Sequence, residues 1–142
     1  MQKLLFIVLS ALLFSLASCD NESDSLVGTT PPGAYSYTSY DSLGTAIVKG
    51  WFTMNYKDSV HIIGNWSFEK IGNPQDVGPQ VGAGKLIGGI DQDKVWVELN
   101  PQFRDDNLQL IGSITGNKFS GKWMWLSYAG ISNHGTFEAI KN

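Results

Sequence analysis

Several residue types that commonly carry chemistry are scarce in this chain of 142 residues. It has one cysteine and two histidines, and only 16% of its residues are charged. One cysteine excludes a disulfide within the chain, and neither histidine has a second histidine or a cysteine at metal-ligand spacing. The formal net charge of −3 offers no basic field that would attract nucleic acid. We therefore expect no metal, no cofactor and no nucleic-acid partner.

Catalytic patterns are missing as well. The chain has no Gly-x-Ser-x-Gly nucleophile elbow. Alternation with apolar positions directs Glu69, Glu98 and Glu138 outward to water, whereas paired carboxylates for glycoside hydrolysis have to flank a cleft. His61 falls on the polar side of its segment, and His134 lies in a turn. The sequence predicts a protein that is not an enzyme.

The first residues have the layout of a secretory signal. Lys3 provides a short positive region, residues 4–14 are almost wholly apolar, and small residues follow before Cys19. The apolar run is shorter than the roughly 20 residues that a transmembrane helix needs. We interpret residues 1–18 as a signal peptide that is removed.

The only cysteine lies directly behind this signal. Leu16-Ala17-Ser18-Cys19 resembles the lipobox of bacterial lipoproteins, in which an aliphatic residue and two small residues precede the cysteine. The resemblance implies cleavage before Cys19, a diacylglycerol on its thiol and, often, acylation of the new amine. One acyl chain binds a membrane only marginally, at ~0.8 kcal/mol for each buried CH2, whereas two or three chains hold firmly. We expect the mature protein to be anchored to a membrane of the bacterial cell envelope.

Residues 19–33 are expected to form an acidic, flexible tether. Asp20, Glu22 and Asp24 follow the cysteine closely, and the sequence Pro31-Pro32-Gly33 forbids regular structure. Acidic residues in this place resemble the surface-export signal of Bacteroidetes lipoproteins, which implies the outer membrane. In enterobacteria, however, an aspartate directly after the cysteine is associated with retention in the inner membrane. The outer membrane is our expectation, and the periplasmic face and the cell surface both stay open.

A short pattern recurs through the rest of the chain: an apolar residue, a glycine two positions on, and an apolar residue two further. Alternation of this kind is typical of a strand with one buried face. A glycine within a strand costs stability, so it is used where a strand bends sharply or where something comes close. We expect these glycines to face inward, where a barrel wall curls most or where a space is left. They are Gly50, Gly64, Gly88, Gly112 and Gly121.

The alternating segments and their turns predict an all-β domain over residues 34–142. Eight strands are expected, at about 34–40, 45–54, 59–70, 82–91, 93–100, 106–115, 117–127 and 134–141. Short links between consecutive strands favour antiparallel neighbours. The prediction is an eight-stranded antiparallel meander that forms a closed or partly open small barrel. A two-sheet β-sandwich is the alternative.

Two tripeptides suggest a family. Gly64-Asn65-Trp66 and Gly121-Lys122-Trp123 resemble the Gly-x-Trp of lipocalin and avidin-type barrels. The resemblance implies a small, mostly apolar ligand bound in the mouth of the barrel. It assigns no ligand-contacting residue in this chain.

Aromatic residues provide the candidate sites. Stacked indoles suit sugars, flat rings and acyl tails, so the inward aromatic residues are candidates for a pocket that binds a small apolar or sugar-like ligand. Alternatively, they fill a solid core. The candidate ligand-binding residues are Trp66, Phe68, Phe119, Trp123 and Trp125.

Two further tryptophans, Trp51 and Trp96, fall on the opposite face from their apolar neighbours. An exposed apolar patch tends to mark a contact site, so they predict a contact surface for another envelope protein. Alternatively, they pack under the loop at 71–83. The sequence thus supports two functions: a lipocalin-like binding module, or an envelope interaction protein with a solid core.

Overall fold

The computed structural model describes residues 32–75 and 77–142. The expected signal peptide, Cys19 and the tether as far as Pro31 lie outside the described residues. In the part of the chain that is described, no helix is long and apolar enough to cross a membrane.

Eight antiparallel strands form one closed barrel. Each strand pairs with the next along the chain, and the last pairs back with the first, where Tyr37 is opposite Ala139. The predicted meander is therefore confirmed, and the structure is a closed barrel rather than a two-sheet sandwich. The strands are β1 (Gly33–Tyr40), β2 (Ala46–Tyr56), β3 (His61–Lys70), β4 (Gly82–Asp91), β5 (Lys94–Glu98), β6 (Asp106–Thr115), β7 (Lys118–Ser127) and β8 (Gly130–Lys141).

The two ends of the barrel differ in their connections. At the end where β1 begins and β8 ends, which we call the entry end, the links are residues 57–60, 92–93 and 116–117. At the opposite end, which we call the loop end, the links are residues 41–45, 71–81, 99–105 and 128–129. The longer connections thus lie away from the point where the chain enters the barrel.

The recurring glycines mark places where neighbouring strands approach closely. Gly112 and Gly121 are opposite each other across β6 and β7. A Cβ atom on Gly121 would collide with the carbonyl oxygen of Ile111, and one on Gly112 with that of Ser120. The room that these glycines leave is therefore taken by the backbone of the next strand, which lets the sheet curl into a narrow barrel.

Alternating side chains from every strand meet inside the barrel and form a single core. The fully buried members include large residues on both halves of the chain, so the interior is filled rather than hollow at their level. The largest of them are Tyr35, Tyr37, Phe52, Phe119, Trp123 and Phe137.

Candidate functional site

Four of the five aromatic residues predicted to line a pocket are buried inside the barrel. Trp66 and Phe68 of β3 and Phe119 and Trp123 of β7 belong to the core. Trp125 is partly buried and packs against the core at the loop end. The structure thus brings the predicted residues together, and their binding of a ligand stays a prediction.

Aromatic rings fill the interior by contacting one another. The rings of Tyr37 and Phe68 are stacked with their centroids 4.1 Å apart, and Phe119 meets Phe137 edge to face at 4.8 Å. Both arrangements are favourable beyond the burial of area. Phe119 and Trp123 are fully buried, so no gap wide enough for a water molecule borders either side chain. In this conformation these rings act as packing.

The indole nitrogens of three tryptophans are also engaged. The Nε1 atom of Trp66 donates a hydrogen bond of 2.7 Å to the carbonyl oxygen of Leu99. That of Trp123 donates to the carbonyl oxygen of Tyr40 at 2.8 Å. At the loop end, Trp125 donates to a carboxylate oxygen of Asp106 at 2.9 Å. Buried indole N–H groups need such partners, and here the partners lie on other strands or loops of the barrel.

The mouth of the barrel at the loop end is closed by residues 77–80. Val77 joins the core and the side chain of Gln80 is fully buried. A Cβ atom on Gly78 would lie 2.7 Å from the indole of Trp125, so the backbone of this segment rests directly on that ring. The side-chain amide of Asn100 donates a 3.1 Å hydrogen bond to the carbonyl oxygen of Pro79. This segment therefore acts as a plug in the mouth.

Two hydroxyl groups of β1 meet the plug. Ser39 Oγ donates a hydrogen bond of 2.8 Å to Gln80 Oε1, and Tyr37 Oη lies 3.4 Å from the same oxygen. The amide of Gln80 in turn donates to the carbonyl oxygen of Val77 at 2.8 Å. Burial raises the pKa of Tyr37 well above its usual value, and the hydrogen bond with Ser39 lowers it by less. The phenol therefore remains a neutral donor at physiological pH.

Charge is kept out of this interior. The buried polar side chains among residues 32–75 and 77–142 are Ser39, Gln80 and Asn107, and none of them is charged. Asn107 accepts a hydrogen bond of 2.9 Å from the backbone nitrogen of Asn100 and so fixes the loop that holds Pro79. The buried polar groups near the mouth are thus hydroxyls and carboxamides, and the nearby carboxylate of Asp106, which accepts from Trp125, is exposed.

The two outward tryptophans do not form one surface. Trp51 lies on β2 and Trp96 on β5, and β3 and β4 separate these strands. Trp51 is 47% exposed, whereas Trp96 is half-buried and lays its indole over Gly89 of β4. The indole that the plug covers is neither of these but that of Trp125.

The most exposed large apolar side chains among the described residues all belong to the loop end. Tyr128 is 92% exposed and Leu43 89%, while Phe103 and Ile131 are exposed by 63% and 58%. Leu43, Phe103 and Tyr128 lie in three different loops, and Ile131 lies beside Tyr128 at the beginning of β8. We call these four residues the apolar tips.

Asp58 and His61 at the entry end form a hydrogen-bonded turn. Asp58 accepts hydrogen bonds from the backbone nitrogens of Val60 and His61, and its carboxylate lies 2.7 Å from the Nδ1 atom of His61. These hydrogen bonds lower the pKa of Asp58 to about 2, and the bond from the backbone nitrogen of Val60 has the largest effect. In the described part of the chain, no group of three or more His, Cys, Asp or Glu side chains is placed to hold a metal ion.

Sequence reasoning missed the plug and the apolar tips. The alternation Tyr35-x-Tyr37-x-Ser39 identifies the inward hydroxyl groups of β1. Nothing local, however, indicates that Gln80 reaches them from a loop 41 positions away. The tips carry one signal, namely large apolar residues inside turns, where polar residues are usual.

Comparisons with known proteins identify no relative of this chain. The chain matches no family model, no curated protein and no solved structure.

Proposed function

We propose that this protein is a lipid-anchored, non-enzymatic interaction module of the bacterial cell envelope, whose loop end binds another envelope protein. The observation that carries the proposal is the position of the apolar tips. The four most exposed large apolar side chains among the described residues come from three connections and the beginning of β8, and all lie at one end of the barrel. Exposed apolar surface tends to mark a contact site, and a partner that covers this end of the barrel would bury all four side chains.

The anchor expected at Cys19 would be attached to the end of the barrel opposite the apolar tips. The chain enters the barrel at Gly33, which belongs to the entry end. The intervening tether of about 13 residues spans at most about 45 Å when fully extended. A lipid on Cys19 would therefore be attached to the entry end and leave the apolar tips at the opposite end of the barrel, free to contact a partner.

The packing inside the barrel favours binding at the protein surface rather than in an interior pocket. The candidate pocket residues Phe119 and Trp123 are fully buried by other side chains. A small apolar or sugar-like ligand would need an opening movement of the barrel before it reached them. A partner protein needs no such movement to reach Tyr128 or Phe103.

A photo-crosslinking amino acid tests this proposal in cells of the source organism. It is placed at position 128 or 103 of the full chain, with position 117 in an entry-end turn as the control. We expect a discrete crosslinked product with a second protein from positions 128 and 103 and none from position 117. The same products from position 117, or no discrete product from either tip, would contradict the proposal.

The anchor has its own test. Cys19→Ser removes the thiol that the diacylglycerol would occupy, so the variant should leave the membrane fraction or retain its signal peptide. The measurement is fractionation combined with the mass of the processed chain. A Cys19→Ser protein with the mature mass and unchanged membrane association would show that the anchor lies elsewhere.

A further inference from the structure

We propose that the outer wall of the barrel carries a carbohydrate-binding groove along β1, in which the indole of Trp51 stacks on a pyranose ring with equatorial hydroxyl groups. The groove has a volume of about 590 Å³, within the range of roughly 300–1,000 Å³ that is usual for ligand sites. This inference goes beyond the proposed function, because it concerns the side of the barrel and a sugar rather than the loop end and a protein.

Small side chains along β1 form the floor of the groove. Ala34, Ser36 and Thr38 alternate with the buried residues of that strand and therefore face outward. On the neighbouring strand, Lys49 lies opposite Thr38 and Trp51 lies opposite Ser36. Two long side chains of β2 thus stand beside a row of short ones, which leaves a trough along β1.

The indole of Trp51 offers a flat apolar surface beside this trough. The residue is 47% exposed. Its partners on the two adjacent strands are Ser36 and Ser67, whose side chains are too small to cover the ring. Trp96, by contrast, is half-buried and lies over Gly89. An indole that its own neighbours leave uncovered can stack on a ring that binds next to it.

Hydrogen-bonding groups of several kinds lie around this indole. Asn142 accepts a bond of 2.7 Å from Ser36 through its Oδ1 atom, so its amide nitrogen is left as a donor. Lys49 and Glu69 form an exposed ion pair with a distance of 3.4 Å between Nζ and Oε1. Such a pair contributes little to stability, so it can rearrange around a ligand. Asn142, Lys49 and Glu69 all line the groove.

These surroundings specify a sugar rather than an ion or a purely apolar molecule. A pyranose with equatorial hydroxyl groups has C–H groups on both faces of its ring and hydroxyl groups around its edge, which donate and accept alike. The faces match the indole, and the edge matches the ammonium, carboxylate and carboxamide groups. The charges of Lys49 and Glu69 balance, so the groove has no net charge that would attract an ion. An apolar molecule would cover these polar groups without satisfying them.

Titration with cellotriose tests the proposal, because this trisaccharide is built from pyranose rings with equatorial hydroxyl groups. The full chain is purified in a detergent without a sugar headgroup, and binding is followed through the backbone amide NMR signals of β1 and β2. We expect Trp51→Ala to raise the dissociation constant at least tenfold and Trp51→Phe to raise it by less. Trp96→Ala removes the other outward indole and is the matched control, so it should leave the dissociation constant unchanged.

A second pair of variants tests on which side of the indole the sugar binds. Ser36→Leu fills the floor of the groove and keeps Trp51, so it should also raise the dissociation constant at least tenfold. Ser67→Leu adds the same side chain on the β3 side of the indole and should change the dissociation constant by less than twofold. Both positions lie outside the buried core, so both variants should keep the fold.

Chitotriose distinguishes two sources of the sugar, because its rings carry the N-acetyl group that the amino sugars of bacterial cell walls also carry. Binding of either trisaccharide through Trp51 supports the proposal. Tighter binding of chitotriose would indicate a cell-wall glycan, and tighter binding of cellotriose an unsubstituted glucan. If neither trisaccharide shifts the signals of β1, or if Trp96→Ala or Ser67→Leu weakens binding as much as Trp51→Ala does, the proposal is wrong.

Discussion

The two ends of this barrel differ in the length of their connections and in the apolar surface that they expose. The entry end has short turns, and in the longest of them Asp58 ties down the backbone nitrogens of Val60 and His61. The loop end has longer connections that place one segment inside the mouth and raise Leu43, Phe103 and Tyr128 into solvent. Both ends have a turn whose backbone nitrogens donate to the turn's own aspartate, Asp58 at the entry end and Asp41 at the loop end. The loop end adds the inserted segment and the apolar tips.

This difference assigns binding of a partner to the loop end rather than to the entry end. The turns at the entry end present less apolar surface, since Val60 is exposed by 48% whereas Leu43 and Tyr128 at the loop end are exposed by 89% and 92%. Loops that carry apolar tips increase the contact of apolar groups with water in the free protein, which is unfavourable unless another surface covers them. The loop end is therefore where we look for binding, and changes at each end should have different consequences.

Both ends depend on the same wall, and damage to the wall should give the largest effect. In Gly121→Val the new side chain would collide with the backbone of β6, so we expect a loss of about 3 kcal/mol and a fall in melting temperature of about 15 °C. Lys122→Val adds an apolar residue at the neighbouring, exposed position and should change the melting temperature by only a few degrees. Similar melting temperatures for the two variants would contradict the close approach of β6 and β7.

A matched pair of glycines distinguishes the two ends directly. Gly78 at the loop end and Gly116 at the entry end have φ angles of +62° and +61°, where any other residue is strained. A Cβ atom at Gly116 meets open space, so Gly116→Ala should cost about 1 kcal/mol of folding free energy. Gly78→Ala adds a clash with Trp125 and should lower the free energy of unfolding by about 2 kcal/mol. Alternatively, the clash displaces residues 77–80 from the mouth. Chemical denaturation measures the free energy of unfolding of both variants. If the two variants lose the same free energy, and Gly78→Ala causes no red shift of the tryptophan fluorescence, the plug does not rest on Trp125.

Acid should weaken the entry end selectively. The pKa of Asp58 is lowered to about 2 in the folded protein, against roughly 3.9 for a free aspartate. The unfolded chain therefore binds this proton at higher pH, so the stability that Asp58 contributes is present above pH 4 and is lost as the pH falls toward 2. Asp58→Asn should flatten the decline of the melting temperature over this range. An unchanged decline would assign the acid sensitivity to other carboxylates.

The apolar tips should give the smallest effect on stability. Tyr128→Ser removes a side chain that is 92% exposed, so the free energy of unfolding should stay within about 0.5 kcal/mol of the wild-type value. The same change should weaken crosslinking to the partner from position 103. A large loss of stability would mean that Tyr128 packs against the protein itself.

Most of the fold follows from the sequence because it depends on alternation. The segments predicted at 82–91 and 106–115 coincide with β4 and β6, and the strands pair in the predicted order. Whether that meander closes or forms a sandwich was left open by the sequence, and the pairing of β1 with β8 decides it. Where the eighth strand begins was predicted less well, at residue 134 rather than at Gly130. The difference arises because β7 and β8 continue to pair around Tyr128 through residues that lack regular alternation.

The candidate sites are less accessible from the sequence because they depend on distant contacts. Whether Trp51 and Trp96 share a surface depends on how many strands lie between them in the closed barrel. Whether the inward tryptophans line a cavity depends on how completely residues such as Tyr37 and Phe137 fill it. The position of Gln80 depends on the path of an irregular loop, for which no periodic pattern exists.

The pairing of β1 with β8 also determines when this protein can fold. Ser36 Oγ donates a 2.7 Å hydrogen bond to Oδ1 of Asn142, a residue 106 positions further along the chain. Contacts of such long sequence separation slow folding, because the entropy of a large loop is lost before they form. Until β8 has paired with it, β1 presents a free sheet edge that invites aggregation. The interval before the barrel closes is therefore the period in which this protein is most prone to aggregate.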